Sequence, residues 1–311
     1  MRTLPIPAQI NARGLLPFLA QLGQPVDEAG VRLNFSALRR VTSPGLVALV
    51  AAVLHWRRER RPVVFAGLAA CPITGYLQRM DALRACGIEV RETFARHEAR
   101  GRFVPVRLVD HRVDEMGRDI SACLAPGGED YDHPNSGLYD FAWYVLTEVA
   151  NNIRQHSGGL GFASAQVSRE EGLVRLALAD NGMGILGSFR DAGFPWSREM
   201  SDTDAIRKAL EPKVSCKIGE PNEGVGLTLV SEMAKLTRSW LLIVSGRGVL
   251  QMSAGGDAVS SELPNGGDFH GTLMTMVFRQ DAAKDYPALL NEAKIRAGLL
   301  RIGRASGRFQ E

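Results

Sequence analysis

The sequence predicts an α/β protein built as two successive α/β domains, and three observations carry that expectation. Strand-like and helix-like segments alternate through the first third. Residues 124–137 read LAPGGEDYDHPNSG, a stretch rich in turn-forming Gly, Pro, Asp and Asn. The charge balance also changes sign near residue 120, with 18 Lys and Arg against 11 Asp and Glu before it and 19 against 23 after it. The boundaries read from these features are a first domain over 1–105, a linker over 106–136, a second domain over 137–281, and a C-terminal helix and tail over 282–311.

VRLNF (31–35) alternates apolar and polar residues as a half-buried strand does. SPGLVALVAAVLHWRRERR (43–61) opens with Ser43 as an expected N-cap and Pro44 at the first helical position, then runs apolar. PVVFAGL (62–68) reads as a second strand, ITGYLQRMDALRACG (73–87) as an amphipathic helix, and FVPVRLV (103–109) as a further strand. Beyond the turn-rich stretch, a helix is expected from about 137 to 156 and strands at 161–168 and 172–180. Residues 186–222 lack strong periodicity. A helix at 226–236, a hairpin over 240–254, a strand at 271–278 and one amphipathic helix within 282–311 complete the reading.

With 45% hydrophobic and 23% charged residues, the chain can bury real cores and is too apolar for disorder. The basic cluster HWRRERRP (55–62) sits where cations suit the end of a helix, and nucleic-acid binding is not expected from it. Cys71, Cys86, Cys123 and Cys216 lie far apart without zinc or redox spacing, which suggests reduced thiols. The N-terminus lacks a signal peptide's apolar stretch, and the longest apolar run (46–54) is far short of a membrane span. A soluble cytoplasmic protein with no membrane association is expected.

The helix ending in LTEVANNIRQH carries two patterns. Ala142, Val145, Leu146, Val149 and Ile153 make an apolar stripe. Asp140, Tyr144, Glu148, Asn152 and His156 recur every four residues, so their row drifts only ~40° per step and runs beside the buried stripe. Polar groups in that half-covered position are costly unless they bind something. In ALADNGMGI (177–185) a strand delivers Asp180 to its end, and Gly182 and Gly184 let the chain turn tightly past a ligand. In NEGVGLTLV (222–230), Gly224 and Gly226 open a helix whose free N–H groups and dipole favour a phosphate. HGTLMTMVF (270–278) brings Gly271 and Thr272 into a strand.

In their order and spacing these four segments resemble the GHKL ATPases, the group that includes type II topoisomerases, heat-shock chaperone ATPases, sensor histidine kinases and anti-sigma serine kinases. The helix motif is matched by Glu148, Asn152 and His156, the first glycine box by Asp180, Gly182 and Gly184. The second box is matched by Gly224, Gly226 and Leu227, with Thr228 where a glycine is common. Gly271 and Thr272 match the last strand. The resemblance covers about 137–280 and implies an α/β sandwich in which a mixed sheet packs against helices. It implies ATP and Mg²⁺ as ligands. Asn152 would offer its side-chain oxygen to the metal, and Glu148 would act as general base near the γ-phosphate. His156 would contact phosphate or cap the helix. Asp180 would accept from the adenine amino group, with Thr272 supporting it, and Gly224 and Gly226 would present N–H groups to the phosphates. Segment 186–222 occupies the place of the family's ATP lid, with Lys213, Ser215 and Lys217 as candidate phosphate contacts.

The stretch from Val31 to Gly67 resembles a STAS (anti-anti-sigma) domain, and that likeness spans roughly 1–100. Ser43 falls at the position phosphorylated in family switches, but Thr42 and Pro44 depart from the motif, and the reading preferred here is an N-cap. Together the resemblances imply an ATP- and Mg²⁺-binding regulatory protein in signalling or partner switching. It would be a slow ATPase or a Ser/Thr-type protein kinase acting with a regulatory protein partner, and a homodimer is compatible. A histidine autokinase fits less well, because His97 lies beside loop residues. The second reading is a nucleotide-gated interaction module without catalysis.

Overall fold

The computed structural model describes residues 1–214 and 224–300. Its first unit contains β1 (Arg2–Pro5), β2 (Gln9–Ile10), α1 (Leu15–Leu22), β3 (Val31–Asn34), β4 (Arg40–Val41), α2 (Ser43–Arg58), β5 (Val63–Ala66), α3 (Thr74–Arg79) and α4 (Ala82–Ala85). Strands β1, β3 and β5 form a parallel sheet in that order, and β2 pairs with β4. Parallel neighbours require crossovers, and the chain supplies them as α1 and α2. The single helix expected at 73–87 is two helices. Asp81 adopts a left-handed backbone (φ 53°) that breaks it, and its carboxylate is held 2.8 Å from Arg96.

The second unit holds β6 (Phe103–Val109), α5 (Val113–Leu124), α6 (Ser136–His156), β7 (Gly161–Ser168), β8 (Leu173–Asp180), α7 (Gly184–Asp191), α8 (Asp202–Ala209), α9 (Gly226–Leu236), β9 (Trp240–Gly246), β10 (Gly248–Met252), β11 (Ala258–Glu262), β12 (Phe269–Arg279) and α10 (Tyr286–Arg296). Its sheet has the order β11-β10-β9-β12-β8-β7-β6, and every neighbouring pair is antiparallel. The expected mixed sheet is therefore corrected for this unit: parallel pairing is confined to the first.

The expected linker over 106–136 is also corrected. Val106–Val109 belongs to β6, which pairs with β7, and α5 packs along α6. Residues 110–112 and the turns around 125–135 remain irregular, the latter tied by Asn135 Nδ2 donating to the Pro126 carbonyl at 2.9 Å. Segment 186–222 contains most of α7 and all of α8, whose N-cap Ser201 accepts from the Asp204 amide at 3.1 Å. Strand β11 was not expected; its AVSSE sequence is an exposed edge with little apolar signal.

Both faces of the large sheet are buried, and the strand sequences say why. On β8, Leu176 and Leu178 face one core while Ala177 and Ala179 face the other; on β9, Leu241 and Ile243 oppose Leu242 and Val244 in the same way. Continuous apolar strands of this kind demand a cover on each side. Helices α6, α9 and α10 cover the first face, with Phe141 edge-on to Phe278 at 4.9 Å. The second face is covered by α2, which packs against β7, β8 and β12. Helix α2 is apolar all round and buried through its first eleven residues, as a helix sandwiched between two layers must be.

The N-cap of α2 is Thr42, not Ser43. Thr42 is extended (φ −106°, ψ 167°), and its hydroxyl donates to the Ile10 carbonyl at 3.2 Å. Ser43 is fully buried. Its amide donates to Gln166 Oε1 on β7 at 3.3 Å, and its hydroxyl has no hydrogen-bond partner among the described residues. Among the described residues, no helix is long and apolar enough to cross a membrane.

Candidate functional site

A cleft of about 280 Å³ opens between α6, the start of α9 and the start of α7, over the ends of β8 and β12. Glu148, Asn152 and His156 line it from α6, Asp180 from β8, Gly184 from α7, Gly224, Gly226 and Leu227 from the start of α9, and Thr272 from β12. Val149, Ile153, Ile185, Phe189, Ile243 and Met274 give it apolar walls. A flat aromatic ligand with one polar edge suits such walls. The four-residue spacing on α6 produces this directly: the polar row borders the apolar stripe, so its side chains project where helix and sheet part.

Asp180 is the most constrained of these groups. It is 2% exposed at the end of β8. The Gly182 amide donates to its Oδ1 at 2.8 Å, and the Thr272 backbone lies beside it. Burial outweighs both neighbours and pushes its pKa up to about 7. Gly182 does not line the main cleft. It turns the chain behind the carboxylate, where an added Cβ would stand 1.9 Å from the Ser157 carbonyl oxygen, and it borders a neighbouring recess of about 510 Å³. Gly271 has φ 107°, and a Cβ there would lie 2.0 Å from the Asp180 carbonyl oxygen. Left-handed backbone and backbone contact together leave no room for a side chain. Gly271→Ala is expected to lower the unfolding free energy by about 2 kcal/mol or more, measured by urea denaturation.

Glu148 is half-buried, and burial raises its pKa, while the Tyr144 hydroxyl one turn earlier pulls it back. A Cβ on Gly226 would fall 1.9 Å from Glu148 Oε2, so the glycine lets the first turn of α9 sit directly over the carboxylate. Tyr286 of α10 adds a second phenol beside Tyr144, with ring centroids 6.5 Å apart. The Asn152 side-chain amide makes no hydrogen bond to another described residue, which leaves its oxygen available to a ligand.

Gly224 is left-handed (φ 74°), and its carbonyl accepts from the Lys213 amide at 2.9 Å. Val214 lines the cleft, whereas the Lys213 side chain does not. Ser215 and Lys217 lie outside the described residues. Thr228 is buried, its hydroxyl has no hydrogen-bond partner among the described residues, and it does not line the cleft.

The sequence reading missed Ser245 on β9. Its Oγ accepts from the Ile185 amide at 2.8 Å and lies 3.2 Å from Thr272 Oγ1, so it ties the first turn of α7 to the Gly271–Thr272 strand. A lone serine in the run WLLIVSG was the only available signal. Among the described residues, no cluster of three His, Cys, Asp or Glu side chains could hold a metal alone. The one amide of Asn152 suits a cation such as Mg²⁺ that keeps its waters and takes its remaining ligands from a phosphate chain. In comparisons with known proteins, neither a family model nor a curated protein matches the chain.

Proposed function

We propose that the chain binds an adenine nucleotide with Mg²⁺ in this cleft and acts as a regulatory ATPase or Ser/Thr-directed phosphotransferase of the GHKL type. One observation carries the reading. Residues from four separate segments, each singled out by its own motif, line one apolar-walled cleft that includes a buried carboxyl and a helix N-terminus. The glycine cradles and the open Asn152 amide fit such a ligand.

Bound MgATP would supply the transferable phosphoryl group. Asp180 would accept from the exocyclic amino group of the base, which favours adenine over guanine. The N–H groups opening α9, together with its dipole, would hold phosphate oxygens. Asn152 would hold the cation. Glu148 would take a proton from the attacking water or hydroxyl, and its raised pKa brings it nearer the working pH, as suits a general base. Tyr144 would orient that carboxylate. Tyr144→Phe removes the hydroxyl that lowers the Glu148 pKa, so the acid limb of the pH–rate profile should move to higher pH.

The non-catalytic reading draws support from a different observation: the first unit is packed against the sheet that carries the site, as a nucleotide-gated module would require. Incubation with γ-labelled ATP and Mg²⁺ separates the readings. Label released as phosphate, or transferred to a co-purifying protein, is the expected result. Nucleotide binding without release or transfer favours the gated module. No uptake of ATP by calorimetry removes both.

A further inference from the structure

The turn after Asp180 and the bulge at the start of β12, which turns the chain before Thr272, both touch α2, a helix of the other unit. The His55 ring stacks on His270 with centroids 4.1 Å apart and planes 13° from parallel. It also lies beside the backbone of Asn181, the residue after Asp180. One turn on, Arg58 Nη1 donates to the Gly158 carbonyl at 3.4 Å.

These contacts meet a tightly coupled patch of backbone. The Met183 amide donates to the Ser157 carbonyl at 2.8 Å, and the Leu160 amide donates to Asn181 Oδ1 at 2.8 Å. Gly182 and Gly271 leave no slack against Ser157 and Asp180. A shift of α2 is therefore passed to both turns rather than absorbed between them, because close-packed contacts of this kind do not deform continuously.

We infer that the C-terminal half of α2 is the back wall of the nucleotide site, with His55 and Arg58 as positioning residues that hold the Asp180 and Thr272 turns at the separation the base requires. The inference rests on the adenine-site reading given above and adds a regulator to it. The first unit reports on, and is felt by, the base end of the cleft. The chemistry of the contact fits a fixed support. His55 Nδ1 is buried without a partner among the described residues, so protonation would bury a donor with nothing there to accept from it. Burial, then His270, then Arg58 hold the ring's pKa down at about 4, and it stays neutral at physiological pH. Coupling of this kind is reciprocal: whatever draws α2 off the sheet weakens adenine binding, and bound nucleotide tightens the docking of α2.

The test uses the full chain and two probes, ATP with Mg²⁺ and inorganic tripolyphosphate with Mg²⁺, the second lacking the base. His55→Ala is expected to weaken ATP about 5- to 50-fold and to leave tripolyphosphate unchanged. Arg58→Ala, on an exposed side chain that does not threaten folding, should shift ATP affinity in the same direction by a smaller factor. ATP should also slow amide hydrogen exchange within 43–58. Wild-type ATP affinity in both variants, or an equal loss of ATP and tripolyphosphate, overturns the positioning role and leaves the site reading intact. Failure of the wild-type chain to take up ATP overturns both.

Discussion

Asp180→Asn is expected to weaken ATP uptake about 100-fold or more while leaving the apo protein at pH 8 at least as stable as the wild type. The two effects have one cause. Asp180 lines an apolar-walled cleft with the Gly182 amide donating to its Oδ1, so above its pKa of about 7 it presents only acceptor capacity to a ligand. An asparagine puts an N–H₂ group where the adenine amino group must donate, and a buried donor facing a donor is costly. The same burial makes the native carboxylate expensive.

The sign follows from the raised pKa. The unfolded chain releases this proton near the ordinary 3.8, but the folded protein retains it to about 7. Between those values the native state binds more protons, so wild-type stability falls as pH rises, by a total on the order of 4 kcal/mol. Asparagine has no proton to lose. The stability difference between variant and wild type should therefore grow from about pH 4 to about pH 7 and then level off. Thermal melts across that range and calorimetry with ATP and Mg²⁺ check both halves. Unchanged ATP affinity in the variant would remove Asp180 from base recognition and the adenine reading with it.

The second large effect concerns Glu148. Glu148→Ala should reduce turnover by about 10²- to 10⁴-fold while leaving ATP affinity within a few-fold of wild type. Truncation removes the one carboxylate that α6 contributes to the cleft lining among the described residues. The base end at Asp180 and the glycine-lined start of α9 are untouched. Glu148→Gln keeps the shape beneath Gly226 and loses only the proton acceptor, so it should match the alanine variant in turnover. Steady-state phosphate release and an equilibrium titration make the comparison. If both variants retain wild-type turnover, Glu148 is not the base. If the wild type binds but has no turnover to lose, the gated-module reading replaces the catalytic one.

The cleft was legible in the sequence to an unusual degree because its signals are local. A four-residue polar row beside an apolar stripe can project only into a seam. A strand ending in Asp-x-Gly-x-Gly, and a Gly-x-Gly opening a helix, announce turns that other residues cannot make. Gly182 illustrates the limit of such signals. Its necessity was readable, but its place behind Asp180 rather than in the cleft depends on Ser157, 25 positions earlier and on another element. Ser245 shows the same limit: one hydroxyl in an apolar strand acquires meaning only when Ile185 and Thr272 arrive beside it.

By itself, the sequence determined the α/β class, most strands and helices, the burial of α2 and the residue types that meet in the cleft. Periodicity, glycine freedom and apolar runs are properties of neighbouring residues, and they are fixed before the chain folds. Only the tertiary structure decided that α2 lies between two sheets, that Ser43 is sealed against Gln166 on β7, that the supposed linker is part of the large domain, and that His55 backs the Asp180 turn. Each of those depends on which of several equally apolar surfaces meet. Burial of apolar area is non-directional, so a hydrophobic face states that it must be covered and leaves its partner to the packing of the whole chain.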